Sequence, residues 1–291
     1  MPVNLRNNAR FLILSASAFF TAMAACVKAA SVKIPLYETV FFRSVISVLI
    51  LGYLMKRRRT PFRAKNFLLM VTRSLSGLAA MSCNFYALSR LSFGDAAMLV
   101  NTFPIFVAIL SFIFLGERPS KKLLLLIAIS WVGILFILRP QLNFLNFAGL
   151  VALLAGVFSA IVVVVIHQTH ETDPSLRIAF YFTGICTFIS IPIMLQHFVI
   201  PGPQETLLLV GSGLFGTAGQ IVMTKAYGLE AVSRLAPLAY FGVVLSFILG
   251  LLFWNEIPTL WSLAGSAVVV LCCIQIARLE KPVPVPVPVI D

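Results

Sequence analysis

Apolar runs of about 20 residues recur along the whole chain, separated by short polar breaks. Each run is long enough to cross roughly 30 Å of hydrocarbon as a helix. A helix is also the open-ended element that satisfies its own backbone in lipid. The pattern predicts ten spans, at about residues 11–30, 36–55, 67–89, 93–115, 121–139, 147–167, 174–197, 204–227, 231–254 and 257–278. Arg6 and Arg10 before the first run mimic a signal peptide, but the run is longer than a signal core and further spans follow, so it reads as the first helix. Pro104, Pro192 and Pro237 fall inside the fourth, seventh and ninth spans and predict kinks there. Beyond the last span, Pro282 to Val289 alternates Pro and Val, which predicts an extended tail.

Part of the pattern repeats. Residues 67–139 overlay 206–278 with one shift and no gap: Leu75 meets Leu214, Gly77 meets Gly216, Ala87 meets Ala226, and Phe114 meets Phe253. Glu117 meets Glu256, Pro119 meets Pro258, and Arg139 meets Arg278. About 18 of roughly 73 positions match, and the rarer residues, Glu-x-Pro above all, favour a duplication over shared composition. Two spans precede each copy, so the chain reads as two halves of five spans. An odd number of spans per half makes the second half enter the membrane from the opposite side. That is an inverted repeat of the kind found in secondary transporters, which bind substrate near the midplane between the repeats.

Composition agrees with the spans. Hydrophobic residues make up 60% of the chain, charged residues only 11%, and no stretch is long and polar enough for a separate soluble domain. The net charge of +12 does not point to nucleic acid, because the basic residues cluster in short loops, above all at 56–65. With the N-terminus inside, the inner segments hold that cluster together with Arg6, Arg10, Arg118, Lys121, Lys122, Arg177, Lys225, Arg234, Arg278 and Lys281, whereas the outer segments hold only Lys28, Lys33, Arg90 and Arg139. Both termini are therefore expected in the cytoplasm. The 56–65 cluster is also suited to anionic lipid head groups. All five cysteines fall in apolar spans, which suits neither a disulfide framework nor a metal site.

The ordered set Phe41-Phe42-Arg43, Asn84-Phe85-Tyr86-Ala87-Leu88, Asp95-Ala96-Ala97, Pro104, Gly116-Glu117-Arg118-Pro119 and Asn255-Glu256-Ile257-Pro258 resembles the drug/metabolite transporter superfamily, EamA branch, over essentially the full length. The resemblance implies an all-α integral membrane fold of ten transmembrane helices as two inverted five-helix repeats, here 1–140 and 141–279, followed by a Pro/Val-rich cytoplasmic tail at 280–291. It implies alternating access through a central cavity lined largely by helices one, three, four, six, eight and nine. Cargo in the family ranges over amino acids, amines, S-adenosylmethionine and vitamins such as riboflavin.

Candidate site residues are the polar groups at membrane depth. A charge at the bilayer centre costs about 2.5–3.5 kcal/mol or more. Arg43 lies about seven residues, roughly 10 Å, in from the outer end of helix two, and Arg73 about six residues in from the cytoplasmic end of helix three. Either offers a permanent donor fork to an anionic group; a clamp on helix-end carbonyls, or snorkelling, is the structural alternative. Glu38 is expected to pair with Lys28 or Lys33, or to carry a proton. Glu117 and Glu256 occupy equivalent turns, where capping and packing are the plainer roles and gating the functional one. Asn84, Asn101, Gln220, Tyr227 and Tyr240 are the uncharged set. Asn101 and Tyr240 coincide on the overlay and are expected to line the cavity from facing helices, with interhelical hydrogen bonding as the alternative. Trp254 is placed to help close the outer gate, while Trp131 and Trp261 are expected to face lipid. His167, His170 and His197 read as solvated helix-end residues.

No phosphate-binding glycine loop, metal-spaced cluster or catalytic carboxylate pair is present, so neither cofactor nor metal is expected. The sequence reads as a secondary-type transporter of a small polar metabolite, an amino acid-like or S-adenosylmethionine-like zwitterion being favoured. A flat aromatic vitamin, or amines and drugs, are the alternative cargo, and a membrane-embedded transferase is the non-transporting alternative. The expected location is the bacterial inner membrane, with lipid and a small-molecule substrate as partners; a homodimer is left open.

Overall fold

The structure is a computed structural model that describes residues 3–115, 121–138, 147–169, 172–229 and 235–279. Among these residues it consists of helices and turns: α1 (Val3–Ala30), α2 (Leu36–Arg57), α3 (Phe67–Arg90), α4 (Phe93–Val100), α5 (Phe103–Leu115), α6 (Lys121–Leu138), α7 (Phe147–Thr169), α8 (Ser175–Met194), α9 (Pro203–Leu229), α10 (Tyr240–Trp254) and α11 (Leu260–Leu279). α4 and α5 form one crossing, so the described helices make the ten crossings the apolar pattern predicts. Glu117, the 140/141 boundary and the 280–291 tail lie outside the described residues.

The prolines act more strongly than kinks at two of three places. The fourth crossing breaks outright at Asn101–Thr102, and Pro104, which has no amide to donate, sits in the first turn of α5. The broken end is closed locally: Asn101 Nδ2 donates to Ala97 O at 2.8 Å and Thr102 Oγ1 to Leu99 O at 2.6 Å. In the ninth crossing, the 3₁₀ turn Ala236–Ala239 carries Pro237 and runs into α10. Pro192 stays inside α8, which ends in the 3₁₀ turn Leu195–His197.

Helix boundaries extend the repeat across both halves. α1 ends at Ala30 and α7 at Thr169; α2 starts at Leu36 and α8 at Ser175. α5 ends at Leu115 and α10 at Trp254; α6 starts at Lys121 and α11 at Leu260. Every pair is 139 residues apart, the same shift that overlays the sequences. Packing obeys the same exchange. α1 lies on α9, as its equivalent α7 lies on α3; α2 lies on α9, as α8 lies on α3. α2 and α8 pack on each other, as do α6 and α11, each pairing a helix with its own equivalent about the axis, and α4 of the fourth crossing packs on α10 of the ninth, the equivalent crossing.

The two halves are inverted. The C-terminal end of α1 carries Lys28, which meets the end of α3 at Leu88 and Leu91, and Glu256 beyond α10. α7, the equivalent of α1, ends at Thr169 beside Asp173 and Arg177, which meet Lys65 and Pro61 on the connection leading into α3. Equivalent helices thus end at opposite faces of the bundle, called below the Lys28 end and the Arg177 end.

Packing is inside-out relative to a water-soluble protein. Large apolar side chains such as Phe188, Leu252, Phe253 and Trp261 point outward, whereas small polar ones such as Ser44, Ser47, Ser74 and Thr224 are fully buried. With lipid as apolar as the core, close packing of small residues and interhelical hydrogen bonds bind the helices. The Ser47 and Thr217 hydroxyls, 2.6 Å apart, join α2 to α9 in this way.

Candidate functional site

A cavity of about 250 Å³ lies within the bundle, walled by residues from α1, α2, α3, α4, α7, α8 and α9 together with Phe103, Ala239, Gly242 and Ser246. The second and seventh crossings, absent from the expected lining set, contribute Arg43 and Phe182. Much of the wall is apolar. Its polar groups include Arg43, Arg73, Asn84, Asn101 and Gln220, and among the described residues no acidic side chain lines it.

Arg43 and Phe182 stand 139 residues apart on the self-paired helices α2 and α8, so they face each other across the pseudo-twofold axis. The Arg43 guanidinium carbon lies 5.4 Å from the Phe182 ring centroid, and that of Arg73 lies 3.9 Å from it. Both distances are in cation–π range. The side chain of Arg43 therefore sits near the axis, midway between the two ends of the bundle. Arg43 and Arg73 are 2% and 1% exposed, and each leaves Nε and Nη1 without a hydrogen-bond partner. Gly216 and Gly77, equivalent positions in the two halves, make the room: a Cβ on Gly216 would fall 2.9 Å from Arg43 Nε, and one on Gly77 would collide with Arg73 Nη1 and come within 2.7 Å of the Phe182 ring.

The other polar residues on the wall are partly engaged. Gln220 Nε2 donates to Thr224 Oγ1 at 3.0 Å. Thr21 Oγ1 joins α1 to α10 through Gly242 O at 3.2 Å. Tyr227 borders the cavity, but Tyr240 does not, although it coincides with Asn101 on the overlay. The two positions differ because Asn101 closes the end of α4 while Tyr240 opens α10 and is buried outside the cavity wall.

A compact cluster ties the helix ends together at the Lys28 end. Asn255 ends α10 in the left-handed region at φ 52°, which asparagine tolerates, and the Glu256 amide returns to Gly250 O at 3.0 Å. This turn aims the Glu256 carboxylate inward. Oε1 pairs with Lys28 Nζ at 2.9 Å, and Oε2 accepts from the Phe93 amide at the start of α4 at 2.5 Å. Trp254 packs against Phe93 with ring centroids 5.5 Å apart, and Lys28 Nζ lies 5.8 Å from the Trp254 ring centroid. Lys28 Nζ also donates to Leu88 O and Leu91 O.

Glu38 pairs with neither expected lysine. It is fully buried at the start of α2 and accepts from the Val199 amide at 3.0 Å. Lys33 instead pairs with Glu205 at 2.6 Å. At the other end Arg177, the equivalent of Glu38 by the same shift, donates from Nε to Pro61 O at 2.8 Å and pairs with Asp173 at 2.6 Å. The two halves thus repeat one contact with reversed charge, each from the start of a helix to the connection leading into the next helix of the other half. Trp131 and Trp261 are exposed on the outside, as is His197 at its helix end. Phe182 was not singled out by the sequence, and Lys28 was named there only as a partner for Glu38; the 139-residue shift applied to Arg43 reaches Phe182 directly.

Ten crossings in two inverted halves around a mid-depth cavity define a polytopic membrane protein of the transporter type. The EamA-like transporter family profile matches residues 8–139 and again 146–278, and the chain belongs to that family, within the drug/metabolite transporter superfamily. It is 32% identical over 283 residues to the pseudopaline exporter of Pseudomonas aeruginosa, covering 97% of this chain and 100% of that protein. It is 28% identical to human solute carrier family 35 member G1, over 79% of this chain and 68% of that protein. It is 22% identical to the S-adenosylmethionine uptake transporter of Rickettsia prowazekii over 84% of each. A solved crystal structure at 17% identity superposes over 94% of this chain and 99% of its own with a TM-score of 0.68, which supports the fold. The family and these relatives are transporters, not enzymes, and this chain is a small-molecule transporter.

Proposed function

We propose that the protein is a secondary carrier of the bacterial inner membrane that moves a small polar metabolite bearing a carboxylate, amino acid-like or S-adenosylmethionine-like, by alternating access. The observation that carries this reading is Arg43: buried, unpaired, on the cavity wall and near the axis that exchanges the two halves. A permanently charged group without an internal partner is expensive inside a membrane, and a cargo carboxylate supplies that partner. Its place near the axis keeps the contact available whichever end of the bundle is open. Asn84, Asn101 and Gln220 offer hydrogen bonds to the rest of the cargo, and Arg73 a second cation.

We take residues 1–140 and 141–279 as the two repeats and 280–291 as the tail. The Lys and Arg asymmetry supports an orientation with both termini in the cytoplasm, the Arg177 end inside and the Lys28 end outside. Glu38 and Glu256 are the membrane-edge carboxylates available for coupling or gating. The reading that a flat aromatic ring is carried rests on Phe20, Phe85 and Phe182 in the wall.

Counterflow in proteoliposomes tests the proposal. Vesicles loaded with an unlabelled amino acid should accumulate the labelled form from outside, and Arg43→Ala should abolish this while the protein remains monodisperse. Accumulation of amines but not of carboxylates, unchanged in Arg43→Ala, would remove the proposal. Flux indifferent to an imposed pH gradient would identify simple exchange over proton coupling.

A further inference from the structure

Two buried guanidiniums, not one, stand against the cavity. Arg43 and Arg73 lean on the same ring at 5.4 and 3.9 Å, so their cationic carbons lie no farther apart than those two distances combined. The acidic side chains among the described residues are engaged elsewhere: Glu38 with the Val199 amide, Asp95 with Ser262, Asp173 with Arg177, Glu205 with Lys33 and Glu256 with Lys28. None lines the cavity.

We infer that the cargo carries two carboxylates, one for each guanidinium. This rests on the carrier reading and narrows its substrate class to the amino acid-like cargo, since an S-adenosylmethionine-like one has a single carboxylate and two positive charges. One carboxylate can take the fork of one arginine in a bidentate pair. With a cargo bearing one carboxylate, the second arginine keeps its charge in a buried wall with open donors, the arrangement that is most unfavourable in low dielectric. Two carboxylates joined by a short carbon chain neutralise both. The wall also selects against a second positive charge on the cargo. Among the described residues, an ammonium group finds side-chain amides, hydroxyls and aromatic faces there but no carboxylate. A dicarboxylic amino acid, with one ammonium and two carboxylates, is thus better matched than its neutral amide, and a cationic amine is matched worst.

The experiment compares matched pairs on the purified full-length protein by thermal unfolding in detergent at constant ionic strength. L-Glutamate is set against L-glutamine, and succinate against its monoamide, with sulfate as the control for general anion binding. The expected result is half-maximal stabilisation by each dicarboxylate at a concentration about tenfold or more below that of its monoamide, the scale of one charged hydrogen-bonded pair. In Arg43→Gln and Arg73→Gln the advantage should collapse toward unity; in Arg43→Lys and Arg73→Lys part of it should return. The wild-type comparison requires no variant to fold. Equal stabilisation by glutamate and glutamine, or by sulfate and glutamate, would overturn the two-carboxylate inference while leaving a one-carboxylate carrier standing. Stabilisation by amines with no response to any carboxylate would overturn both.

Discussion

Arg43 and Arg73 keep their positions because Gly216 and Gly77 lack a Cβ. Adding one methyl group at either glycine tests this directly. Gly216→Ala pushes on Arg43 Nε from 2.9 Å, and Gly77→Ala collides with Arg73 Nη1 and the Phe182 ring. Overpacking of this kind costs about 1–3 kcal/mol. Both variants are expected to remain folded and to raise the half-saturating cargo concentration about tenfold or more, read by thermal shift and by counterflow. The arginines were legible in the sequence because a charge inside an apolar run is rare and expensive. Phe182 was not, because one phenylalanine among 25 carries no signal until the repeat places it opposite Arg43. The Asn101–Tyr240 equivalence misled in part. Positions that coincide in sequence ended up on opposite sides of a helix break, one closing α4 and the other opening α10.

At the scale of elements, ion pairs tie helix ends together, and the two ends can be disturbed separately. At the Arg177 end, Asp173 accepts from Arg177, the Lys65 amide and Thr172. Burial works against its charge, but these hydrogen bonds outweigh it and hold its carboxyl below the ordinary carboxylate range. A depressed folded-state pKa means that the tie contributes fully above the unfolded value and is lost as the pH falls through the folded one. Asp173→Asn should therefore destabilise the protein at neutral pH by about 3 kcal/mol, since it leaves Arg177 buried without its counter-charge. Its unfolding temperature should approach that of the wild type as the pH drops below about 4. At the Lys28 end, Glu256→Gln removes the charge that holds Lys28 and weakens the cap on α4. It should speed modification of an Asn84→Cys probe by a membrane-impermeant thiol reagent from that face by roughly tenfold, as a shift toward an open end. The apolar spans were readable because each follows the hydrocarbon thickness, and the proline positions marked the weak points. The outright break in the fourth crossing was not readable, because it depends on Asn101 and Thr102 closing the end of α4 with their side chains. Nor were the partners of Glu38, Lys28 and Lys33. Pairing between helix ends is set by which helices meet in the inverted bundle, and hydropathy along the chain does not report that.

Over the whole molecule, one shift of 139 residues relates helix ends, helix neighbours and the contacts of Glu38 and Arg177. The sequence overlay covered only the last three spans of each half; the structure extends the register to the first two. Inversion was legible from parity alone, five spans being odd, and the opposite ends reached by α1 and α7 bear it out. Two inverted halves that share one cavity have a natural way to exchange roles, and with them the end at which the cavity opens. The most direct measurement of this account needs no cargo. In a variant without its five native cysteines, Asn84→Cys would be probed with an impermeant thiol reagent in right-side-out and inside-out vesicles. Modification is expected from both faces, with the Lys28 face suppressed when that end is cross-linked shut through cysteines at positions 28 and 256. Modification confined to one face under every condition would contradict a carrier that opens its cavity to each side in turn.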